Sequence, residues 1–190
     1  MARAIARPHA GAMRECVVVV SGPIASGKSS LARALAIRLQ ESCGVGVAVV
    51  DLDLVYEMLD PAGRPKDDGR LWSLARRISG RLAAALLTEG CCVVVEGDLA
   101  TDVALGELQG ELPGEVAVRL VLLGVDLETA LARARADPTR GLSKDRRFLA
   151  SHYDDFNAEW TERDVLRLET GTASLVETTS AAVAWLARER

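Results

Sequence analysis

The run Gly22-Pro23-Ile24-Ala25-Ser26-Gly27-Lys28-Ser29 places four residues between two glycines and follows the second directly with a lysine and a serine. Residues of these types in this order handle phosphate. Glycines let backbone N–H groups turn inward around phosphate oxygens, and the unpaired amides of a helix starting after Gly27 add positive partial charge. Lys28 is then expected on the β- and γ-phosphates of a nucleotide and the Ser29 hydroxyl on Mg²⁺. With Ser30 in the first helical turn, Gly22 to Ser30 form the candidate nucleotide-binding loop. A chance glycine-rich turn is the alternative, and the strand-like run before it and the helical pattern after it argue against that.

Two short acidic clusters carry the other half of such chemistry. Asp51-Leu52-Asp53 and Glu96-Gly97-Asp98 each follow an apolar run, at the end of a strand where open α/β sheets place ligand chemistry. Phosphoryl transfer needs a metal to neutralise phosphate oxygens and a carboxylate to orient the attacking hydroxyl and take its proton. Asp53, one step beyond the strand, is the candidate base and acceptor contact; Asp51 and Glu96 are candidate Mg²⁺ ligands with Ser29, held in part through waters. Alternation in an extended chain directs Asp51 and Asp53 to one side. Asp98 and Tyr56 are further acceptor candidates. Solvated loop carboxylates or helix caps are the plainer alternative for the acids.

From Arg133 to Arg147 the chain carries five arginines across a helix interrupted by Asp137-Pro138-Thr139-Arg140-Gly141. A hinged lid over about 137–146, supplying Arg140 and Arg133 to the transferring phosphoryl group, fits this pattern, and closure would exclude water. Two exposed arginine-rich helix ends joined by a loop are the alternative.

The elements that must position these groups alternate. Apolar strand runs are expected at Cys16–Val20, Val45–Val50, Cys91–Val95 and Val116–Leu123, with a last strand at Val165–Glu169. Helices are expected at about Lys28–Glu41, Leu54–Leu59, Leu71–Thr88, Thr101–Leu108 and Leu127–Ala136, the last of these capped by Asp126. Further helices start at Ser143 and before the C-terminus. Ser174-x-x-Glu177 is a capping box, although Leu175 to Thr178 can also continue extended structure. The pattern predicts a parallel, roughly five-stranded sheet covered by helices on both faces.

The 190 residues, 49% of them hydrophobic, suit one domain over 16–190, with an Arg- and Ala-rich tail over 1–15 expected to be mobile. A formal net charge of −4 argues against a broad electrostatic grip on nucleic acid or an anionic membrane. Of the 23 basic residues 20 are arginines, suited to local bidentate phosphate contacts. Cys16, Cys43, Cys91 and Cys92 have no zinc-ligand spacing, and Cys16, Cys91 and Cys92, which lie in apolar runs, read as small buried hydrophobes in a reducing compartment. No export signal is expected, which points to the cytoplasm.

On the Gly22–Ser29 loop, Asp51-Leu52-Asp53, the Arg133–Arg140 segment and Leu168-Glu169-Thr170, the chain resembles the small P-loop kinases that include shikimate kinase, gluconate kinase and chloramphenicol phosphotransferase. The resemblance covers about Cys16 to Arg190. It implies a three-layer α/β/α P-loop NTPase fold with an arginine-rich lid, and use of ATP and Mg²⁺. It further implies Lys28 and Ser29 on phosphate and metal, Asp53 on the acceptor hydroxyl, Arg133 and Arg140 on ATP, and Thr170 to Thr172 beside the adenine. Glu96-Gly97-Asp98 departs from the triple glycine of shikimate kinases. Asp53-Leu-Val-Tyr-Glu-Met lies closer to chloramphenicol phosphotransferase, so an antibiotic-like or sugar-like alcohol is the expected acceptor. Two alternatives stand: a nucleoside or nucleotide kinase, for which Tyr56, Trp72 and Tyr153 are the candidate base-stacking rings, and a nucleotide-gated interaction module without catalysis.

Overall fold

The computed structural model describes residues 16–44, 46–63, 68–99, 101–157 and 165–188. The expected tail over 1–15 and Val45 of the second apolar run lie outside them. Five strands, β1 (Cys16–Ser21), β2 (Val47–Asp51), β3 (Cys92–Glu96), β4 (Ala117–Gly124) and β5 (Val165–Glu169), form one sheet in the order β2-β3-β1-β4-β5. Every pairing is parallel. The helices are α1 (Lys28–Cys43), α2 (Leu52–Leu59), α3 (Gly69–Thr88), α4 (Asp102–Gln109), α5 (Leu127–Ala136), α6 (Arg146–Asn157) and α7 (Leu175–Leu186), with a 3₁₀ turn at Leu142–Lys144 between α5 and α6.

The continuous β-branched runs of β1 and β3 are buried on both faces, which is what places them inside the sheet. Val18 and Val20 pack with Leu31, Leu35 and Leu39 of α1 and with Ala182, Val183 and Leu186 of α7. On the opposite face, Val17 and Val19 pack with residues of α2, α3 and α4, among them Val55, Ala75 and Leu105. Three layers follow, as expected.

Local signals settle most element ends. The Asp126 carboxylate accepts from the Thr129 amide at 2.8 Å and starts α5. At α7 the capping box forms in full, with the Ser174 amide donating to Glu177 Oε2 at 2.8 Å, so extended structure does not continue through Leu175. One expectation is corrected. The helix after β2 begins at Leu52 rather than Leu54, because Asp51 Oδ1 accepts from the Asp53 amide at 2.9 Å and caps it.

Gly80 lies where α3 packs on the end of α4. A methyl group there would press on the Leu108 carbonyl oxygen and lie 2.9 Å from Glu111 Cβ. Ion pairs Arg76–Glu107 and Arg81–Glu111, the latter at 2.8 Å, fasten the same two segments. In an open helix, Gly→Ala gains about 1 kcal/mol, but crowding a packed contact costs about 1–3 kcal/mol. Gly80→Ala should therefore lower the urea midpoint of unfolding; an unchanged or raised midpoint would show that α4 can move away.

Candidate active site

The loop between β1 and α1 is shaped by three backbone positions. Gly22 leaves no room for a side chain, since a Cβ would meet Ser26 Oγ at 2.7 Å and the Leu123 carbonyl oxygen at 2.8 Å. Gly27, at φ 96°, and Ala25, at φ 63°, both take the left-handed region, unusual for the alanine. Lys28, the first residue of α1, turns back over the loop. Its Nζ donates to the Gly22 carbonyl at 2.8 Å and to the Pro23 carbonyl at 3.1 Å.

Withdrawal from water lowers the Lys28 pKa, and three carboxylates oppose that shift: Asp98 first, then Asp53 and Glu96. Arg140 adds to the lowering. Groups from three separate stretches thus act on one ammonium. Parallel register brings the acids in, setting Asp51 beside Glu96 and Val20 beside Glu96 at the ends of the three strands. The exit of β3 is held by the Gly97 amide donating to the Val20 carbonyl at 3.2 Å and the Leu99 amide donating to Ser21 Oγ at 3.1 Å. Leu52 packs directly on Gly97, where a Cβ would lie 2.5 Å from its own, so α2 is seated against this corner.

Asp51 and Asp53 reach the site by a route other than strand alternation. Asp51 ends β2 and faces Glu96, whereas Asp53 is exposed in the first turn of α2. Glu96 is 4% exposed, and its pKa is pushed up to about 7, first by burial and then by the neighbouring Asp51 carboxylate, against a hydrogen bond from the Ser29 hydroxyl and the charge of Lys28. Glu96 consequently keeps a proton up to about pH 7 that it would lose in water.

Ser29, Glu96 and Asp51 offer only oxygen donors and adjoin the Gly22–Gly27 loop, and the buried Glu96 carboxyl is a group that a dication would bring to its ionised form. This donor set fits Mg²⁺. Among the described residues no group of three or more His, Cys, Asp or Glu could hold a metal by itself, so phosphate oxygens and waters would complete the coordination.

On the other side of the loop, Arg140 sits in the short turn after α5 with Nε donating to Asp137 Oδ2 at 3.2 Å; Asp137 also accepts from the Thr139 amide and hydroxyl. Arg133 differs from expectation in its partners. Its guanidinium donates to the Thr170 carbonyl at 2.6 Å, to Thr170 Oγ1 at 3.2 Å and to the Ala25 carbonyl at 3.4 Å. Unpaired loop carbonyls facing the last turn of α5 capture the planar fork. Thr170, expected beside the adenine, is buried, with Oγ1 2.8 Å from the Ser26 carbonyl and 3.1 Å from that of Gly124; Thr172 is exposed.

Tyr56, expected to face an acceptor, is 1% exposed and packs on Trp72 with ring centroids 4.3 Å apart. Helical periodicity puts it on the apolar face of α2 with Leu52 and Val55. One neighbour of the site was not foreseen: His152 of α6 pairs with Asp98, Nε2 to Oδ2 4.0 Å. No spacing rule links two residues so distant in the chain.

No protein-family model matches this chain, and no curated protein sequence matches it. Solved structures do. A sugar kinase from Janibacter sp. HTCC2649 is 17% identical with a TM-score of 0.69, over 90% of this chain and 94% of that one. A gluconokinase from Sinorhizobium meliloti 1021 is 18% identical at TM-score 0.63, over 91% and 92%. The Mycobacterium tuberculosis APS kinase in complex with AMPPNP and APS is 19% identical at TM-score 0.68, over 91% and 98%. The chain has the fold of these P-loop kinases across nine-tenths of its length.

The raised Glu96 pKa gives a test. Between the ordinary carboxyl value of 4.5 and about 7 the folded state binds more protons than the unfolded state, so stability falls as pH rises through this window and levels off above it. Glu96→Gln removes that slope. The melting temperature of Glu96→Gln minus that of the wild type should grow from pH 5 to pH 8; a constant offset would show that Glu96 ionises normally.

Proposed function

We propose that this chain is an Mg·ATP-dependent kinase that moves the γ-phosphoryl group to a hydroxyl of a small molecule, with an antibiotic-like or sugar-like alcohol as the preferred acceptor. The observation that carries the reading is the convergence of Asp98, Asp53, Glu96 and Arg140 on Lys28 at the mouth of a phosphate-binding loop. A fold shared with a sugar kinase, a gluconokinase and an APS kinase bound to AMPPNP and APS supports it.

ATP supplies the phosphoryl group and Mg²⁺ the countercharge between its phosphates. Lys28 and Arg140 face the transferring group from the loop and from the turn after α5, where they stabilise charge developing on its oxygens. Asp53 accepts the hydroxyl proton as the acceptor oxygen bonds to the γ-phosphorus and the bond to the β,γ-bridging oxygen breaks, leaving ADP. Asp98 orients the acceptor. Ser29, Asp51 and Glu96 would hold the metal, and Thr172 would border the base. A reaction that consumes ATP fits a cytoplasmic setting.

The aromatic rings disfavour a nucleoside or nucleotide kinase. Tyr56 and Trp72 are packed on each other, and Tyr153 is 7% exposed with its hydroxyl on the Ile24 carbonyl. A non-catalytic interaction module leaves Asp53 beside Lys28 without a role.

The acceptor is found by screening alcohol-bearing metabolites and antibiotics for acceptor-dependent ADP release. With that acceptor, Asp53→Asn should lower turnover about 10²- to 10⁴-fold, as removal of a positioned base does, while ADP affinity stays near wild type. Retention of most activity would move the base to Asp98.

Lys28→Ala should abolish transfer in a chain that still melts cooperatively, because the charge against the β- and γ-phosphates is lost and the loop backbone remains. Wild-type turnover in this variant would sink the kinase reading.

A further inference from the structure

Five successive carbonyls of the phosphate-binding loop are each held by a side chain. Lys28 takes those of Gly22 and Pro23, the Tyr153 hydroxyl donates to that of Ile24 at 3.1 Å, Arg133 donates to that of Ala25, and Thr170 Oγ1 lies 2.8 Å from that of Ser26. The last three donors come from α6, from α5 and from the end of β5. A trans peptide is planar, with its carbonyl and its amide on opposite edges. Fixing the Ile24 carbonyl therefore also fixes where the Ala25 amide points, and fixing that of Ser26 does the same for the Gly27 amide.

Tyr153 is suited to this single task. Its ring is buried in a small cluster with Ala25, Val125, Leu131, Ala134 and Leu149, directly behind the loop. Burial pushes its pKa up to about 12, so the hydroxyl remains a proton donor at every working pH. Neighbouring Ala25 holds φ 63°, a conformation that strains an alanine and persists only where the surroundings enforce it.

We propose that Tyr153 is a positioning residue of the phosphate-binding loop: its hydroxyl holds the Ile24 carbonyl outward and thereby aims the amide edge of the same peptide at the phosphates, in concert with Arg133 on Ala25 and Thr170 on Ser26. The inference rests on the nucleotide reading above. It adds a residue on the helix that follows the Arg140 turn, which the phosphate-loop pattern in the sequence does not include.

The test measures dissociation constants for Mg·ADP and for Mg·tripolyphosphate, which has no base, together with the melting temperature of each free protein. Tyr153→Phe keeps the ring and removes only the donor. It should bind both probes about 3- to 10-fold more weakly, the range expected for losing one buried hydrogen bond. Thr170→Val, which removes the donor to Ser26, should weaken both probes in the same way and keeps the test standing if Tyr153→Phe fails to fold. A merely structural tyrosine would lower the melting temperature and leave both constants unchanged, which overturns the proposal. Weakening of Mg·ADP alone also overturns it, since the effect would then lie on the base side. If the wild type binds neither probe, the nucleotide reading falls and this inference with it; wild-type affinities in both variants overturn the inference alone.

Discussion

An ammonium group withdrawn from water organises this molecule. Removing a charge from solvent costs several kcal/mol even after relaxation, and a site that keeps one must surround it with acceptors. Lys28 finds two backbone carbonyls in its own loop and the field of three carboxylates. Those carboxylates have to arrive from other strands, so the requirement reaches into the sheet. Only an arrangement that sets β3 between β1 and β2, all parallel and in register at their C-terminal ends, delivers Glu96, Asp98 and the Asp51–Asp53 corner together.

Crowding acids to satisfy a cation creates a second electrostatic problem. Asp51 and Glu96 stand side by side on adjacent strands, and Glu96 is buried. Burial and the Asp51 charge raise the Glu96 pKa, while a serine hydrogen bond and the Lys28 charge hold it down.

Much of this was legible in the chain. Cys16–Ser21 and Cys92–Glu96 announced buried parallel strands because long β-branched runs have few other stable settings, and Asp126 and Ser174 announced helix starts through side chains that reach only their own next turn. Local chemistry of that kind can be read directly. The start of α2 was less legible: a helix cap stood among the alternatives for Asp51, but the residue pattern does not show that the helix begins one residue later. Arg133, Tyr153 and Thr170 were less accessible still. Their partners are main-chain carbonyls, which every residue carries and which leave no mark in the pattern of side chains. That two adjacent loop peptides would face the end of α5 and the middle of α6 follows from the docking of those helices, a tertiary fact.

The wide chain separation of the loop's supports also has a consequence in time. Ile24 meets its tyrosine 129 residues later, and Ser26 meets its threonine 144 residues later. β1 pairs on one side with β3 and on the other with β4, so the strand translated first of the five can be enclosed only after both of its neighbours exist. Non-local pairing of this kind slows folding, because loop closure precedes the contacts that reward it. During synthesis the Gly22–Gly27 loop emerges early, and its side-chain supports are complete only once Arg133, Tyr153 and Thr170 have all been made. Nascent chains halted short of Tyr153 would carry the whole glycine-lysine-serine run and still lack the donors to the Ile24 and Ser26 carbonyls.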